Sequence, residues 1–391
     1  MPRIKKLFVS KLFSDEEIAS KEGTWFSESD LKYPVINSNI DIYYKDNDGN
    51  ERLLLKYRKN RIKPEHVQKG WDSYKDLAKA SRGRGASAGP IDTKSQYWSK
   101  RTIVNTGKWS TGYLTPEGNL MKDELDLLSI QELKNKATEK EIKLHDKKDN
   151  KELSKEELIF AIIKKDEGIS KMKVNNQVAS NPIGFYESGK NFATLPCRLT
   201  HFTRTNYEKY NEGLPFIQSI NKQFKQLVPE SYEKQLLRAD TKPHLKIPKT
   251  CFSTVTINRN FRTAMHRDAG DFREGFGNLT VIRRGKFHGG YTMFPQFGLG
   301  IDLDTNDFLA MDVHQWHCNS EMYETDEDKA FNETLDPVFK DNPDVGTVGL
   351  YEKYTRLTFV CYLREKIAKC PALEEIDPRF LTKSGHSKIK D

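Results

Sequence analysis

Between Lys249 and Lys369 the chain breaks into short apolar runs, and a few polar residues stand at fixed places along them. The runs cover 251–258, 278–284, 291–294, 297–303, 308–313 and 355–363, with Gly275, Gly277, Gly289, Gly290 and Pro295 among the turn residues between them. Their length and their content of Val, Ile, Thr and aromatic residues predict strands. His266-Arg267-Asp268 follows the first run, His317 follows the run that starts at Phe308, and Arg356 lies inside the last.

Alternate residues of an extended segment point to the same side. His266 and Asp268 therefore face one point, with Arg267 turned away. His314 and His317 are three apart, so in a regular strand only one of them can join. His317 is favoured, and His314 is left as a core residue or a support for a ligand. Two histidines and one carboxylate on strand ends suit one face of an Fe(II) ion and leave the opposite face open for a cosubstrate and O2. The guanidinium of Arg356 suits a carboxylate of 2-oxoglutarate, which it can grip with two hydrogen bonds. A lone His-x-Asp carries little weight; four such residues in this order carry much more.

The whole chain bounds the reading. Its 391 residues allow one large domain with an insert, or two domains. Charged residues make up 31% and mean hydropathy is −0.75, so the surface is very polar. The net charge of +8 permits an anionic partner without requiring one. Five cysteines, at 197, 251, 318, 361 and 370, are scattered with no C-x-x-C pair. That spacing argues against a zinc ribbon or a disulfide framework and fits a reducing compartment. No apolar stretch approaches transmembrane length, and the first residues run quickly into charge. The expectation is an intracellular soluble protein, in cytoplasm or nucleus, with no membrane association and no identifiable protein partner.

Four parts are expected: 1–121, 122–166, 167–370 and a poorly ordered tail, 371–391. In the first, Ile40–Tyr44 and Arg52–Tyr57 flank Asn47-Asp48-Gly49-Asn50 and predict a hairpin. The small-residue loop 81–91 carries Arg82 and Arg84, which suit an anionic ligand, while Gly and Ala permit close backbone approach. A surface loop would look the same. In the second part charge density jumps and aromatics almost vanish. Leu125, Leu128, Ile130, Leu133, Ala137 and Ile142 recur at helical spacing, as do Leu153, Leu158, Ile159 and Ile162. Ser129 before Glu132 and Ser154 before Glu157 suit capping boxes. A two-helix unit with a lysine-rich connection, 143–148, is predicted. In the third part, 175–186 reads as a polar turn entering an apolar stretch, and 216–237 as two helices broken at Pro229 that brace the sheet. Residues 323–350 are acidic and read as a loop insertion.

His266 to Asp271, Gly277 to Val281, Gly289 to Pro295, Phe308 to His317 and Thr355 to Tyr362 resemble the blocks of the TET/J-binding-protein family. These are iron- and 2-oxoglutarate-dependent dioxygenases that oxidise the 5-methyl group of pyrimidines in nucleic acid. The resemblance spans about 120 residues, 250 to 365. It implies an α+β fold with a double-stranded β-helix, or jelly-roll, core, braced by helices and carrying a small helical insert. It implies Fe(II) as cofactor, with 2-oxoglutarate and O2 as cosubstrates. His266, Asp268 and His317 would be the metal ligands, Arg356 would bind the distal carboxylate of 2-oxoglutarate, and Thr358 would add a hydroxyl. The family has a base-contacting polar residue five positions after the first histidine, which here is Asp271. An ionised Asp only accepts hydrogen bonds, so it suits the amino group of cytosine and the N3–H of thymine equally. It would equally suit a turn at Ala269-Gly270.

Residues 122–166 resemble, more loosely, the SAP/HeH helix-extended-loop-helix module, which binds nucleic acid. An exposed helical hairpin with solvated lysines has the same sequence pattern. The resemblances together imply hydroxylation of 5-methylcytosine or thymine in nucleic acid, with DNA as partner. Arg84, Arg58-Lys59-Asn60-Arg61 and the insert's lysines are then candidates for backbone contact. Two alternatives stay open: the same chemistry on a protein or small molecule, and a non-enzymatic nucleic-acid-binding protein.

Overall fold

The computed structural model describes residues 4–77, 80–81, 84–89, 116–145, 150–166, 178–187, 197–336, 338 and 353–381. Arg82, the end of the lysine-rich connection, the stretch from 339 to 350 and the last ten residues lie outside these. In chain order the strands are β1 Lys5–Val9, β2 Ile40–Lys45, β3 Glu51–Arg58, β4 Ala80–Ser81, β5 Val178–Tyr186, β6 Arg198–Leu199, β7 Thr254–Arg259 and β8 Gly277–Arg284. They continue as β9 His288–Gly289, β10 Thr292–Phe294, β11 Leu299–Ile301, β12 Phe308–Met311, β13 Cys318–Asn319, β14 Met322–Tyr323 and β15 Thr355–Tyr362. The α-helices are α1 Asp15–Ala19, α2 Pro64–Tyr74, α3 Pro116–Asp126, α4 Ile130–Glu139, α5 Lys155–Lys165, α6 His201–Thr205, α7 Tyr207–Leu227, α8 Pro229–Ala239 and α9 Asp326–Asn332.

The large sheet runs β1-β2-β3-β12-β8-β15-β7-β5-β4, with β6 on β5, and a smaller sheet runs β11-β10-β13. An isolated antiparallel bridge between His266 and His317 lies just ahead of β13. From β7 onward the chain alternates between sheets. It passes from β7 to the His266 segment, back to β8, across to β10 and β11, back to β12, across to β13, and back to β15. Four central strands of one sheet thus face four segments of the other, which is a double-stranded β-helix.

Both faces of the large sheet are covered, so its strands are apolar on both sides rather than alternating with polar residues. Ile257, Ile282, Phe308, Leu357 and Phe359 pack with Tyr74, Phe216, Ile220 and Phe224 of α2 and α7. Leu279, Val281, Leu309 and Met311 point the other way, onto Phe294, Leu299 and Ile301 of the small sheet. The two helices pack through reciprocal gaps. A Cβ on Gly70 would lie 2.6 Å from the Phe216 ring, and one on Gly213 would lie 2.3 Å from the Tyr74 ring.

The predicted strands and the β2–β3 hairpin are present, shifted by up to three residues at their ends. Several expectations need correction. Residues 178–186 form the nine-residue strand β5, paired to β7 over Ala179–Gly184, rather than a turn. Pro182 hid it, because proline reads as a strand breaker. Helix α7 starts nine residues earlier than expected and carries Pro215 inside it. The acidic stretch 323–350 begins with the end of β14 and holds α9, which opens on a Thr325–Asp328 capping box. The helical insert has three helices, not two, because the apolar series from Leu125 to Ile142 is interrupted ahead of Ser129. Both predicted capping boxes are formed. The three helices share a core of Leu125, Leu133, Ala137, Leu158, Ile159, Ile162 and Ile163.

Cys197 and Cys370 form a disulfide, against the expectation drawn from the scattered cysteines. They lie 173 residues apart in sequence, and only the packing of Phe185, Leu199, Leu245 and Ile367 brings them together. The start of the tail is anchored to the same cluster, since Ile376 is buried there and Phe380 packs against it. Among the described residues no helix is long and apolar enough to cross a membrane.

Candidate active site

His266 and His317 exchange both backbone hydrogen bonds, each at 3.0 Å. Directly opposite residues of an antiparallel pair present their side chains on one face. The backbone N–H of Asp268 donates to the Val313 carbonyl at 3.0 Å, so the alternation that joins Asp268 to His266 is continued by pairing. The imidazoles stand 4.4 Å apart between centroids. Nδ1 of His266 lies 2.8 Å from the Ala264 carbonyl, and Nδ1 of His317 lies 2.9 Å from the Gln315 carbonyl. A carbonyl can only accept, so Nδ1 of each ring carries the proton and Nε2 keeps its lone pair. Both Nε2 atoms face the Asp268 carboxylate, at 3.7 Å and 3.6 Å. One ligand atom from each of the three residues lies within 4.8 Å of the others. Burial first, and then the neighbouring His266, push His317 down to about 4. It is held as the neutral imidazole that a metal requires.

His314 is elsewhere. A turn at 313–315 carries its ring toward the Phe272 carbonyl, with Nε2 at 3.4 Å. Arg267 faces away from the carboxylate and covers the Trp316 ring, 4.3 Å from its centroid.

Arg356 lies on the inner face of β15, 3% exposed. Its Nη1 donates to the Thr358 hydroxyl and its Nη2 has no partner. Burial, followed by the charge of Arg283, pushes the guanidinium down to about 9, while Asp302 opposes the shift. A buried donor without an acceptor is costly, and a guanidinium more so. An anion would supply the missing acceptor.

Asp271 is 9% exposed and its Oδ2 is unpartnered. Burial, then repulsion from Asp268, holds its carboxyl well above the usual range, against the pull of Arg364. Asp271 and Arg364 form a bridge between their segments. Arg364 pairs through Nε and Nη2 with both oxygens of Glu187, and its guanidinium lies 5.7 Å from the Tyr186 ring centroid. The Tyr362 hydroxyl meets the Thr256 hydroxyl at 2.9 Å in the interior. Arg84 lies close enough for its charge to act on Tyr186. The turn that follows Arg84 is tied to the segment ahead of His266, because the Ala264 N–H donates to the Ser87 carbonyl at 2.9 Å.

The structure therefore brings His266, Asp268 and His317 together, sets Arg356 beside Thr358 inside the barrel, and leaves Oδ2 of the buried Asp271 without a partner. Sequence reasoning missed Glu187, Arg364, Tyr186 and Tyr362. Arg364 closes the run that holds Arg356, so it was within reach. Glu187 follows a strand that Pro182 concealed.

Residues 181–365 match the Tet_JBP family, described as the oxygenase domain of the 2OGFeDO superfamily. The chain is 36% identical over 159 residues to the bifunctional helicase and thymine dioxygenase JBP2 of Trypanosoma cruzi, covering 39% of this chain and 14% of that protein. It is 31% identical over 182 residues to JBP2 of Leishmania major, covering 46% of this chain and 14% of that protein. It is 30% identical over 197 residues to thymine dioxygenase JBP1-A of T. cruzi, covering 50% and 21%. The chain thus spans a fifth or less of the length of the first curated relatives it matches. The solved structure of NgTET1 in complex with 5mC DNA superposes with a TM-score of 0.44 at 10% identity, covering 96% of this chain and 88% of that one. Residues 181–365 are thus what this chain shares with the Tet_JBP oxygenase domains of the 2OGFeDO superfamily.

Proposed function

We propose that this protein is an Fe(II)- and 2-oxoglutarate-dependent dioxygenase that hydroxylates the 5-methyl group of a pyrimidine, 5-methylcytosine or thymine, in DNA. The observation that carries the reading is the donor set. Two imidazoles with their Nε2 lone pairs free and one carboxylate converge within 4.8 Å at the end of a barrel that also holds a buried arginine, Arg356, whose Nη2 has no partner. Two histidines and one carboxylate with open positions suit Fe(II). His266, Asp268 and His317 would hold the metal, and Arg356 with Thr358 would hold the distal carboxylate of 2-oxoglutarate. When bound, iron with 2-oxoglutarate and O2 supplies the oxidising power to place a hydroxyl on a C–H bond, with succinate and carbon dioxide as co-products.

The remaining residues position the substrate. The carbonyls of Ala264 and Gln315 lock the two imidazoles in the ligating tautomer. Asp271, with its free Oδ2, would meet the polar edge of the base. A base within a duplex cannot reach this buried centre, so it must be flipped out or presented single-stranded. Arg84, near Tyr186, would meet the strand that carries it. The lysines of the helical insert would hold DNA backbone farther off, a contact whose strength must fall with salt. The relatives named as thymine dioxygenases support thymine as one candidate base.

The test is anaerobic loading with Fe(II) and 2-oxoglutarate, followed by O2 and DNA containing thymine or 5-methylcytosine. Mass spectrometry of the digested nucleosides should find hydroxymethylated base that is absent with His266→Ala. Succinate without base oxidation would overturn the DNA substrate and favour a protein or small molecule.

A further inference from the structure

The pocket around Arg356 contains a second arginine that the sequence motifs do not mark. Strands β15 and β8 are antiparallel partners, and in their register Arg356 stands directly opposite Arg283. Residues opposite each other share a face. That face is the barrel interior: Val281 and Val360, two and four residues along the same sides, pack in the inner core, whereas Ile282 and Leu357 pack on the helices. Two like charges directly opposite each other are destabilising unless something stands between them.

Arg283 is held in place. Its Nη1 lies 3.2 Å from Oδ1 of Asp302, just after β11 on the facing sheet, and its Nη2 donates to the Phe287 carbonyl at 3.0 Å. The guanidinium also covers the Phe287 ring at 4.2 Å. Among the described residues, the charges that act most on Arg356 are those of Arg283 and Asp302. Two guanidinium groups against one carboxylate leave a single positive charge unbalanced, beside the unpartnered Nη2 of Arg356. One further carboxylate neutralises the group.

We infer that Arg283, braced by Asp302 and Phe287, is a second cationic arm for the distal carboxylate of the cosubstrate and sets the preference for a dicarboxylic 2-oxo acid. This rests on the reading of the pocket proposed above. Arg283 is fixed before the ligand arrives, so little ordering is lost on binding.

The test is calorimetric binding to the full chain with Mn(II) under anaerobic conditions, without turnover. The probes are 2-oxoglutarate and 2-oxovalerate, which carries a methyl group in place of the distal carboxylate. Arg283→Met combined with Asp302→Asn removes the arm without leaving an unpaired carboxylate. The double variant should bind 2-oxoglutarate about 10- to 100-fold more weakly, as expected for a lost charge-assisted hydrogen bond. Its affinity for 2-oxovalerate should be unchanged, which also shows that the pocket is folded. Unchanged 2-oxoglutarate binding would overturn the inference. So would an equal loss for both acids, which would mean a structural role only. Failure of the unaltered protein to bind 2-oxoglutarate would instead overturn the reading of the pocket, and this inference with it.

Discussion

His266 and His317 are joined through their backbones, each N–H donating to the other's carbonyl at 3.0 Å. The two candidate ligands are thus positioned by main-chain pairing between two segments of the small sheet, and the side chains need only be directed by their own Nδ1 acceptors. Such an arrangement holds its geometry without metal and should bind a metal with little rearrangement.

Asp268→Ala removes the one carboxylate of the donor set and leaves both imidazoles in place. Mn(II) affinity measured by calorimetry should fall by more than about 100-fold, beyond the roughly 10- to 100-fold typical of losing a partner outside the ligand set. The thermal midpoint of the metal-free protein should hardly move, because Asp268 is partly exposed. Retention of metal affinity would rule out Asp268 as a ligand.

The helix pair is sensitive to one methyl group. Gly213→Ala would put a Cβ 2.3 Å from the Tyr74 ring, a residue with no exposed surface. The ring cannot retreat into solvent, so overpacking should cost about 1–3 kcal/mol. Urea unfolding should show a lower midpoint with the same slope, and 2-oxoglutarate binding at subdenaturing temperature should persist.

Glu187 and Arg364 form a two-pronged pair beside Asp271. Glu187→Gln would leave Arg364 largely buried with its charge uncompensated. The expected cost is about 3 kcal/mol, at the low end for breaking a buried pair because Arg364 keeps some contact with water. Substitution of both, Glu187→Gln with Arg364→Met, should recover part of that loss in a thermal melt. A loss in the double variant equal to the sum of the losses in Glu187→Gln and Arg364→Met alone would mean that the two residues act independently.

Asp15 supplies a pH test at the amino-terminal edge of the fold. Hydrogen bonds from Lys11, Asn47 and Gln296 hold its carboxyl down at about 2, against an ordinary 3.8. A depressed carboxylate stabilises the fold above its unfolded value, and that stabilisation is lost as pH falls through the folded value. The side chain is 46% exposed, so screening reduces the gain to under about 1 kcal/mol. The difference in urea midpoint between the unaltered protein and Asp15→Asn should be full at pH 6 and shrink as the pH drops from about 4 toward 2. A difference that grows on acidification would refute the assignment.

The helical insert has its own core, so Leu158→Ala should act locally. Leu158 has no exposed surface, and truncation should cost that core about 2–5 kcal/mol. Hydrogen exchange should quicken in α3, α4 and α5 while β7, β8 and β15 stay protected. If DNA retention on a column falls with it and 2-oxoglutarate binding does not, the insert is the DNA contact.

Much of this protein follows from local chemistry that the sequence alone displays. The catalytic-side strands were legible because each is a short run of β-branched and aromatic residues between turn residues. The shared direction of His266 and Asp268 follows from the two-residue period of a strand, and the starts of α4 and α5 from serines placed three residues before glutamates. What tertiary structure decided are the meetings of residues far apart in sequence. His317 rather than His314 faces Asp268 because a turn intervenes between them, where strand alternation alone could only say that one of the two must be excluded. Arg283 meets Arg356 through the register of two strands, and register depends on the whole sheet. Glu187 reaches Arg364 across 177 residues, and Cys197 reaches Cys370 across 173. Local spacing carries no information about such pairs, because the entropy of bringing distant segments together is repaid only by the packing of the completed core.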